Sequence, residues 1–325
     1  MKRLFITQSV FDDTLEVFSG SSLAVDVRER DTPLEARELA VRLRDYHGVV
    51  CMLTDHINEE VLNQNPQLEV VANVAVGFDN IDLRVADRLG IVVTNTPDVL
   101  TQTTADLAMA LILSVARRIV EADGFVRSGS WERWKLQPEQ VGTDVYGKTL
   151  GLVGMGRIGR AVADRAVHGF GMKVLYTSRT QVPDAEGDLG AHRVELYELL
   201  ERSDVLSLHA PLTEQTRHLI GARELAAMKT SAILINTARG PLVDEEALAD
   251  ALESKKLWGA GLDVFTDEPR VNSRLFEIAE RVVLTPHIGS ATMQARRLMA
   301  RTAATNARQV LDGYPPLNPV SVSVH

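Results

Sequence analysis

Short runs rich in apolar and β-branched residues alternate with amphipathic helical patterns along the whole chain of 325 residues. Strands that are joined by helices pair in parallel, and the helices then cover both faces of the sheet. A chain of this length suits about two domains of ordinary size. The alternation therefore predicts an α/β protein built on doubly wound parallel sheets. The predicted strands are Leu4–Thr7, Leu23–Val27, Val49–Leu53, Glu69–Val74, Ile91–Thr94, Thr149–Val153, Lys173–Thr177, Val205–His209, Ala232–Asn236, Gly261–Phe265 and Val282–Thr285.

A long helix-forming run from Thr101 to about Arg127 separates two series of strands. The six strands that follow it would form one doubly wound sheet. Asn58 and Asp82 are predicted N-caps, because each precedes acidic or apolar residues at the start of a helical pattern. A last helix is predicted over Met293–Gly313, and the pattern leaves open whether it closes the second sheet or returns to the first domain.

The composition excludes several classes of protein. Hydrophobic residues make up 45% and charged residues 24% of the chain, as in ordinary globular proteins. The net charge of −9 argues against broad binding to nucleic acids or anionic membranes. A single cysteine, Cys51, excludes an intrachain disulfide and a thiolate zinc site. No run has the roughly 18 apolar residues of a membrane span, and the start lacks a secretory signal. We therefore expect a cytoplasmic protein with no metal, nucleic-acid or membrane partner.

The segment Gly154–Gly159 has the spacing GxGxxG between the apolar run Leu150–Val153 and the helical run Ile158–His168. The first glycine allows a tight turn, the second lets the backbone approach a pyrophosphate, and the third permits close packing of helix on strand. The N-terminus of the helix adds hydrogen-bond donors and partial positive charge. This context predicts a dinucleotide site.

Residues Ser178, Arg179 and Thr180 follow the next predicted strand, about 20 residues past the loop, where NAD sites usually carry an Asp or Glu. A carboxylate there would repel a 2′-phosphate, whereas an Arg and two hydroxyls can hydrogen-bond it. The sequence thus predicts a preference for NADP(H), with NAD(H) as an alternative cofactor.

Arg239, Glu268 and His287 each follow a predicted strand, and the carboxyl ends of parallel strands share one rim with the Gly154–Gly159 loop. An Arg can hold a carboxylate through two hydrogen bonds, and a His beside a carboxylate suits proton transfer near neutral pH. We therefore predict hydride transfer to a carbonyl that bears an adjacent carboxylate.

Six segments together resemble the D-isomer specific 2-hydroxyacid dehydrogenase family over nearly the whole chain. The resemblance is strongest to its glyoxylate/hydroxypyruvate reductase branch, which includes enzymes also described as 2-ketogluconate reductases. The segments are Val76–Asp82, Thr96–Thr101, Gly154–Gly159, Asn236–Gly240, Gly261–Pro269 and Thr285–Thr292.

The resemblance implies a Rossmann cofactor domain at 100–289 and a flavodoxin-like substrate domain at 1–99 and 290–325, with the active site in the cleft between them. It implies that Arg239 binds the substrate carboxylate and carbonyl oxygen, that His287 donates the proton and that Glu268 is its partner. Substrate contacts are implied for Val76, Gly77, Leu100, Trp134 and Arg239. The residues alone allow Trp134 to pack locally or to anchor an interface, and the resemblance implies that it reaches the other subunit's site in a homodimer. Cofactor contacts are implied for Thr104, Gly154, Gly156, Arg157, Ile158, Gly159, Ser178, Arg179, Thr180, Ala210, Pro211, Thr216, Thr237, Ala238, Asp263, His287 and Gly289.

The expected activity is NADPH-dependent reduction of a small 2-ketoacid, glyoxylate to glycolate and hydroxypyruvate to D-glycerate. A 2-keto-D-gluconate reductase is the alternative within the family. A phosphite dehydrogenase is the third alternative: the segments 77–80 and 125–129 resemble that enzyme, but it carries a Lys where this chain has the apolar Val76. A different class, a dinucleotide-sensing corepressor-like binding module, carries the same three polar residues and would differ in lacking turnover.

Overall fold

The computed structural model describes residues 1–278 and 280–321. Residue 279, in the predicted cofactor domain, and residues 322–325, in the predicted substrate domain, lie outside the described part. The chain divides into two compact units, Met1–Leu100 with Ala291–His325 and Thr101–Ser290. In the described part, no helix combines the length and the apolar character that a membrane span requires.

Strands and helices alternate through most of the described residues, as the sequence pattern predicts. The strands are β1 (Arg3–Ile6), β2 (Ala24–Val27), β3 (Gly48–Cys51), β4 (Val70–Asn73), β5 (Val92–Thr94), β6 (Thr149–Val153), β7 (Lys173–Thr177), β8 (His192–Arg193), β9 (Val205–Leu208), β10 (Ile233–Asn236), β11 (Gly259–Leu262), β12 (Val282–Leu284) and β13 (Pro319–Val320). The α-helices are α1 (Asp12–Leu15), α2 (Ala36–Arg42), α3 (Glu59–Asn63), α4 (Leu83–Arg88), α5 (Thr101–Ala116), α6 (Ile119–Arg127), α7 (Arg157–Phe170), α8 (Pro183–Leu189), α9 (Leu196–Arg202), α10 (Ala222–Ala227), α11 (Glu245–Glu253), α12 (Ser273–Glu277) and α13 (Met293–Leu311). Short 3-10 helices cover Glu16–Phe18, Leu43–Asp45 and Gly240–Leu242.

The first unit is built on a sheet with the strand order β13-β5-β4-β3-β1-β2. Strands β1 to β5 pair in parallel, in a flavodoxin-like order, and β13 adds to β5 in the antiparallel direction. The last long helix, α13, belongs to this unit, where Leu311 packs close to Gly48 of β3. Asn58 and Asp82 cap α3 and α4 with their side chains, as predicted.

The second unit has a sheet of parallel strands in the order β12-β11-β10-β9-β6-β7-β8. This is the Rossmann order with a further strand at one edge. Apolar side chains from α5 and α7 pack on one face of the sheet, among them Leu111, Ile112 and Val162. The order reverses between β6 and β9, so the Gly154–Gly159 loop begins at the switch point, where open α/β sheets bind ligands. The fold class predicted from the sequence is confirmed.

The prediction of a single helix from Thr101 to Arg127 is wrong, because the helix is interrupted between α5 and α6. Arg118 lies in the left-handed region at φ 53°. Its guanidinium bonds the carboxylate of Glu121 and the carbonyl oxygen of Glu139. Tertiary contacts of this kind override a helical pattern that has no local stop signal.

Candidate active site

Three loops with the predicted acid–base residues leave the carboxyl ends of β10, β11 and β12, which are neighbours in one sheet. Parallel strands bring these ends to the same edge, so residues far apart in sequence can meet there. Arg239 follows β10, Glu268 follows β11 and His287 follows β12.

Asn236 and Gly240 position the turn that carries Arg239. The buried Asn236 side chain donates to the carbonyl oxygen of Arg239 at 2.8 Å and accepts from the amide of Ala238 at 3.1 Å. A Cβ at Gly240 would lie 1.9 Å from the carbonyl carbon of Phe265, so only a glycine lets the two loops pack this closely. The sequence alone predicts no role for either residue, because the contact crosses from one loop to the next.

Glu268 interacts with both of the other polar residues. Its Oε2 is 2.7 Å from Nδ1 of His287, and its Oε1 accepts from the amide of Phe265 at 3.0 Å. Burial raises the pKa of Glu268, but the hydrogen bond and charge of His287, the Phe265 amide and the charge of Arg239 together lower it below its usual range. The carboxylate is therefore ionised at neutral pH and favours a protonated imidazole beside it.

The backbone of His287 has a φ of 52°, a left-handed conformation that is uncommon for a residue with a side chain. Asp263, just past β11, holds it there. The Asp263 carbonyl accepts from the His287 amide at 2.8 Å, and its carboxylate accepts from the amides of Ile288 and Gly289, each at 2.8 Å. Burial raises the pKa of Asp263, although these donors and the Thr285 hydroxyl counteract that effect.

In the structure, the Glu268 carboxylate thus interacts with both His287 and the charge of Arg239. Only Nδ1 of His287 is used in the contact with Glu268, so the opposite ring nitrogen, Nε2, is suited to exchange a proton with a ligand. A guanidinium, an imidazole and its carboxylate at the rim of a nucleotide-binding sheet can bind a carboxylate and protonate a neighbouring oxygen.

The Gly154–Gly159 loop has the features of a pyrophosphate site. A Cβ at Gly154 would lie 2.7 Å from the carbonyl oxygen of His209, and one at Gly159 would lie 2.3 Å from the carbonyl oxygen of Gly154. A Cβ at Gly156, in contrast, would meet nothing within 4 Å. Gly156 is the N-cap of α7 and offers no side-chain cap. The N-terminus of such a helix carries amide donors and partial positive charge that suit a phosphate. Arg157 and Ile158 begin that helix.

Ser178, Arg179 and Thr180 form a turn after β7, which we call the 178–180 turn. The Ser178 hydroxyl donates to the carbonyl oxygen of Thr180 within it. Arg179 and Thr180 are exposed. The structure places no carboxylate among these three residues that would repel a phosphate.

The other residues implied in cofactor contacts lie at the same end of the second unit. Thr104, in the first turn of α5, donates to the carbonyl oxygen of Gly289 at 3.1 Å. Thr216 donates to the carbonyl oxygen of Pro211 at 2.8 Å and so shapes the loop after β9 that also contains Ala210.

The buried hydroxyl of Thr237 has no hydrogen-bond partner among the described residues. Buried hydroxyls are normally satisfied, so this atom fits a site that a ligand completes. Ala238, beside it, is held by Asn236. The side chain of Asp263, also implied in cofactor binding, is fully buried and already accepts from three donors of the chain.

Val76, Gly77 and Leu100 lie in the first unit. Asn95 donates to the carbonyl oxygen of Val76 at 2.8 Å, and Asn73 donates to that of Gly77 at 2.9 Å. A trans peptide points its N–H away from its C=O, so these contacts turn the following amides to the opposite side. Leu100 is buried.

Trp134 lies in the segment after α6 and is 76% exposed. Its neighbours Trp131 and Leu136 are also exposed, at 60% and 81%. Large apolar side chains clustered on a surface are typical of protein interfaces.

Comparison with known proteins decides the family. The model of the D-isomer specific 2-hydroxyacid dehydrogenase NAD-binding domain matches residues 109–289. The chain belongs to this family. It is 48% identical to a glyoxylate reductase of Thermococcus gammatolerans, over 97% of this chain and 94% of the relative.

Solved structures agree with this placement. A protein from Thermus thermophilus superimposes on this dehydrogenase with a TM-score of 0.90 at 44% identity, covering 98% of this chain and 99% of that one. An NADPH-dependent glyoxylate/hydroxypyruvate reductase of Sinorhizobium meliloti, in complex with NADP and malonate, has a TM-score of 0.87 at 34% identity, with 98% and 96% covered. The protein is therefore an oxidoreductase with an NAD-binding domain, as the sequence predicts.

Proposed function

We propose that this dehydrogenase reduces glyoxylate to glycolate and hydroxypyruvate to D-glycerate with NADPH. The observation that carries the proposal is the Glu268 carboxylate, 2.7 Å from His287 and influenced by the charge of Arg239. Relatives 45–51% identical to this chain are named glyoxylate reductase, which supports a small 2-ketoacid as substrate.

In the proposed reaction, Arg239 binds the carboxylate of the ketoacid and stabilises negative charge on the carbonyl oxygen. His287, protonated and held by Glu268, donates the proton from Nε2 to that oxygen. The bound nicotinamide cofactor supplies the hydride. Reduction therefore requires the imidazolium, and the reverse oxidation requires the neutral imidazole.

The proposed preference for NADPH is supported by the 178–180 turn, where Arg179 is exposed and no carboxylate is present. The pyrophosphate would lie against the amides at the start of α7, with Arg157 and Ile158, beside the open space at Gly156. The buried Thr237 hydroxyl, which has no hydrogen-bond partner in the described part of the chain, supports a ligand at the same end of the sheet.

The assignment of the two units is also part of the proposal. The discontinuous unit would supply the amides near Val76 and Gly77 to the substrate carboxylate, and the unit Thr101–Ser290 would bind the cofactor. We propose a homodimer that uses the exposed segment around Trp134. We also propose the cytoplasmic location predicted from the sequence, and Cys51, which is free and buried, is compatible with it.

A steady-state panel tests the proposal: glyoxylate, hydroxypyruvate and 2-ketogluconate, each with NADPH and with NADH. We expect the highest kcat/KM for a small ketoacid with NADPH. A higher kcat/KM for 2-ketogluconate would favour the alternative substrate, and an equal or higher value with NADH would refute the cofactor preference. Turnover of none of the ketoacids, with cofactor still bound, would favour the corepressor-like binding module.

A further inference from the structure

The guanidinium of Arg193, on the short edge strand β8, forms hydrogen bonds with the backbone of the 178–180 turn. Its Nε and Nη2 donate to the carbonyl oxygen of Ser178 at 3.0 and 2.8 Å, and Nη2 also reaches the carbonyl oxygen of Arg179 at 3.4 Å. The register of β7 and β8 pairs Arg193 with Tyr176. The side chain therefore reaches past the end of β7 to the turn that follows it.

These hydrogen bonds determine the direction of the amides in the turn. In a planar trans peptide the N–H lies opposite the C=O. Because the carbonyls of Ser178 and Arg179 point to Arg193, the amides of Arg179 and Thr180 point away from it. Neither amide donates to a protein group in the described part of the chain. Two successive amides turned to the same side can bind an anion.

A second contact fixes the far end of the turn. The hydroxyl of Tyr176, which belongs to a fully buried residue, accepts from the amide of Val182 at 2.9 Å and donates to Glu186 at 2.9 Å. Within the turn, the Ser178 hydroxyl closes on the Thr180 carbonyl oxygen. The turn is thus held at both ends, so little conformational entropy is lost when a ligand binds.

We infer that Arg193 is a positioning residue for the cofactor's 2′-phosphate. By holding two carbonyls, it presents the amides of Arg179 and Thr180, beside the Arg179 guanidinium, to that phosphate. This inference rests on the proposed preference for NADPH and identifies what arranges that site. Arg193 has no signature in the sequence, because it lies 14 residues beyond Arg179 and in a strand of two residues.

The test measures binding of two probes to the full-length protein by isothermal titration calorimetry. Adenosine 2′,5′-bisphosphate and adenosine 5′-monophosphate differ by the 2′-phosphate alone. We expect the wild-type protein to bind the bisphosphate more tightly. In Arg193→Ala the affinity ratio of the two probes should fall about tenfold, as the loss of charge-assisted hydrogen bonds predicts. The ratio of kcat/KM with NADPH to that with NADH should fall in parallel.

Arg193→Lys separates positioning from charge and is a second, milder variant should Arg193→Ala fold poorly. Lysine keeps the positive charge but lacks the planar fork that bonds both carbonyls. We expect it to lose the preference for the bisphosphate as Arg193→Ala does. A lysine that restores the preference would overturn the inference, because charge alone would then explain it.

Arg202→Ala is the matched control, since it removes an equal charge near the amino-terminal ends of β6 and β9, whereas the 178–180 turn follows the carboxyl end of β7. Arg202 ends α9, next to Asp204, which accepts from the amide of Thr149 at the start of β6. In the Arg202→Ala variant, the ratio of the affinities for the two probes should equal that of the wild type. A wild-type protein that prefers the bisphosphate while Arg193→Ala keeps the same ratio would refute the role of Arg193 alone. A wild-type protein without that preference would refute the proposed NADPH preference, and this inference with it.

Discussion

Glu268 Oε2 lies 2.7 Å from His287 Nδ1, and the Glu268 carboxylate is also influenced by the charge of Arg239. One carboxylate therefore interacts with both the proposed proton donor and the proposed anion-binding residue, which lie on different loops. Two consequences can be measured on this pair.

Replacing His287 by Ala removes the proposed proton donor. We expect kcat for ketoacid reduction to fall roughly 10²–10⁴-fold, the usual contribution of general acid–base catalysis. Steady-state kinetics with saturating cofactor measure the effect. The control is His168→Ala, which removes an exposed imidazole near the far end of α7 that pairs with Asp164. Near-normal turnover of His287→Ala would rule out the role of proton donor.

Glu268→Gln tests the electrostatic part of the pair. The pKa of Glu268 is below its usual range, so the carboxylate keeps its charge through the neutral range and favours the imidazolium. With the neutral amide, an imidazolium at His287 loses the negative charge that lies 2.7 Å from its Nδ1. We therefore expect kcat for ketoacid reduction to fall, because the proposed proton donor is less well stabilised. Steady-state kinetics measure the effect, and a kcat equal to that of the wild type would contradict this coupling.

Much of the fold follows from the sequence pattern, since β6 and β7 begin and end at the predicted residues. The pattern fails where distant contacts decide the structure. Arg118 breaks a helix because its guanidinium bonds Glu139, 21 residues away. Strands β8 and β13 have two residues each, too few for a periodic signal.

The candidate site shows the same division. Arg239, Glu268 and His287 could be located from sequence because each follows a strand in a parallel sheet. Asp263, Asn236 and Gly240 position them through contacts between neighbouring loops. Such contacts carry no local signature, so their roles become visible in the structure alone.

Gly240→Ala should disturb the site through packing. A Cβ there would lie 1.9 Å from the carbonyl carbon of Phe265, so the loops of Arg239 and Glu268 must separate. We expect a loss of about 1–3 kcal/mol in unfolding free energy, typical of overpacking, together with a lower kcat. Thermal unfolding and steady-state kinetics measure the two effects.

The control for this substitution is Gly169→Ala. Gly169 lies in α7, and its Cβ would meet nothing within 4 Å. Alanine should stabilise the helix by about 0.5–1 kcal/mol. An equal response of the two variants would show that the contact at Phe265 imposes no constraint.

His209 should make the stability of the protein depend on pH. Burial lowers the pKa of His209 from 6.5 to about 4, and its Nε2 is 2.9 Å from the Ser207 hydroxyl. The unfolded chain therefore binds this proton at higher pH than the folded chain does. The contribution of His209 to the free energy of unfolding is therefore present above its unfolded pKa of 6.5, and it is lost as the pH falls toward 4. Between about pH 7 and about pH 5 the loss should be about 2 kcal/mol.

Urea unfolding of the wild type and of His209→Asn at both pH values measures this contribution. Asparagine cannot take up the proton, so the difference between the two proteins should shrink as the pH falls. A difference that stays constant over this window would show that His209 has the same proton affinity in both states.

Trp134→Ala tests the proposed interface and the proposed role of this residue in substrate choice. The side chain is 76% exposed in the single chain and lies next to Trp131 and Leu136, which are also exposed. If a second copy covers this segment, truncation should weaken the dimer, because buried aromatic anchors supply much of the energy of an interface. Sedimentation measures the dimer, and the ketoacid panel measures selectivity.

The matched control is Phe276→Ala, which removes an aromatic side chain on α12 that is 63% exposed. A Trp134→Ala protein with unchanged dimerisation and an unchanged substrate profile would show that Trp134 contacts neither the partner subunit nor its substrate.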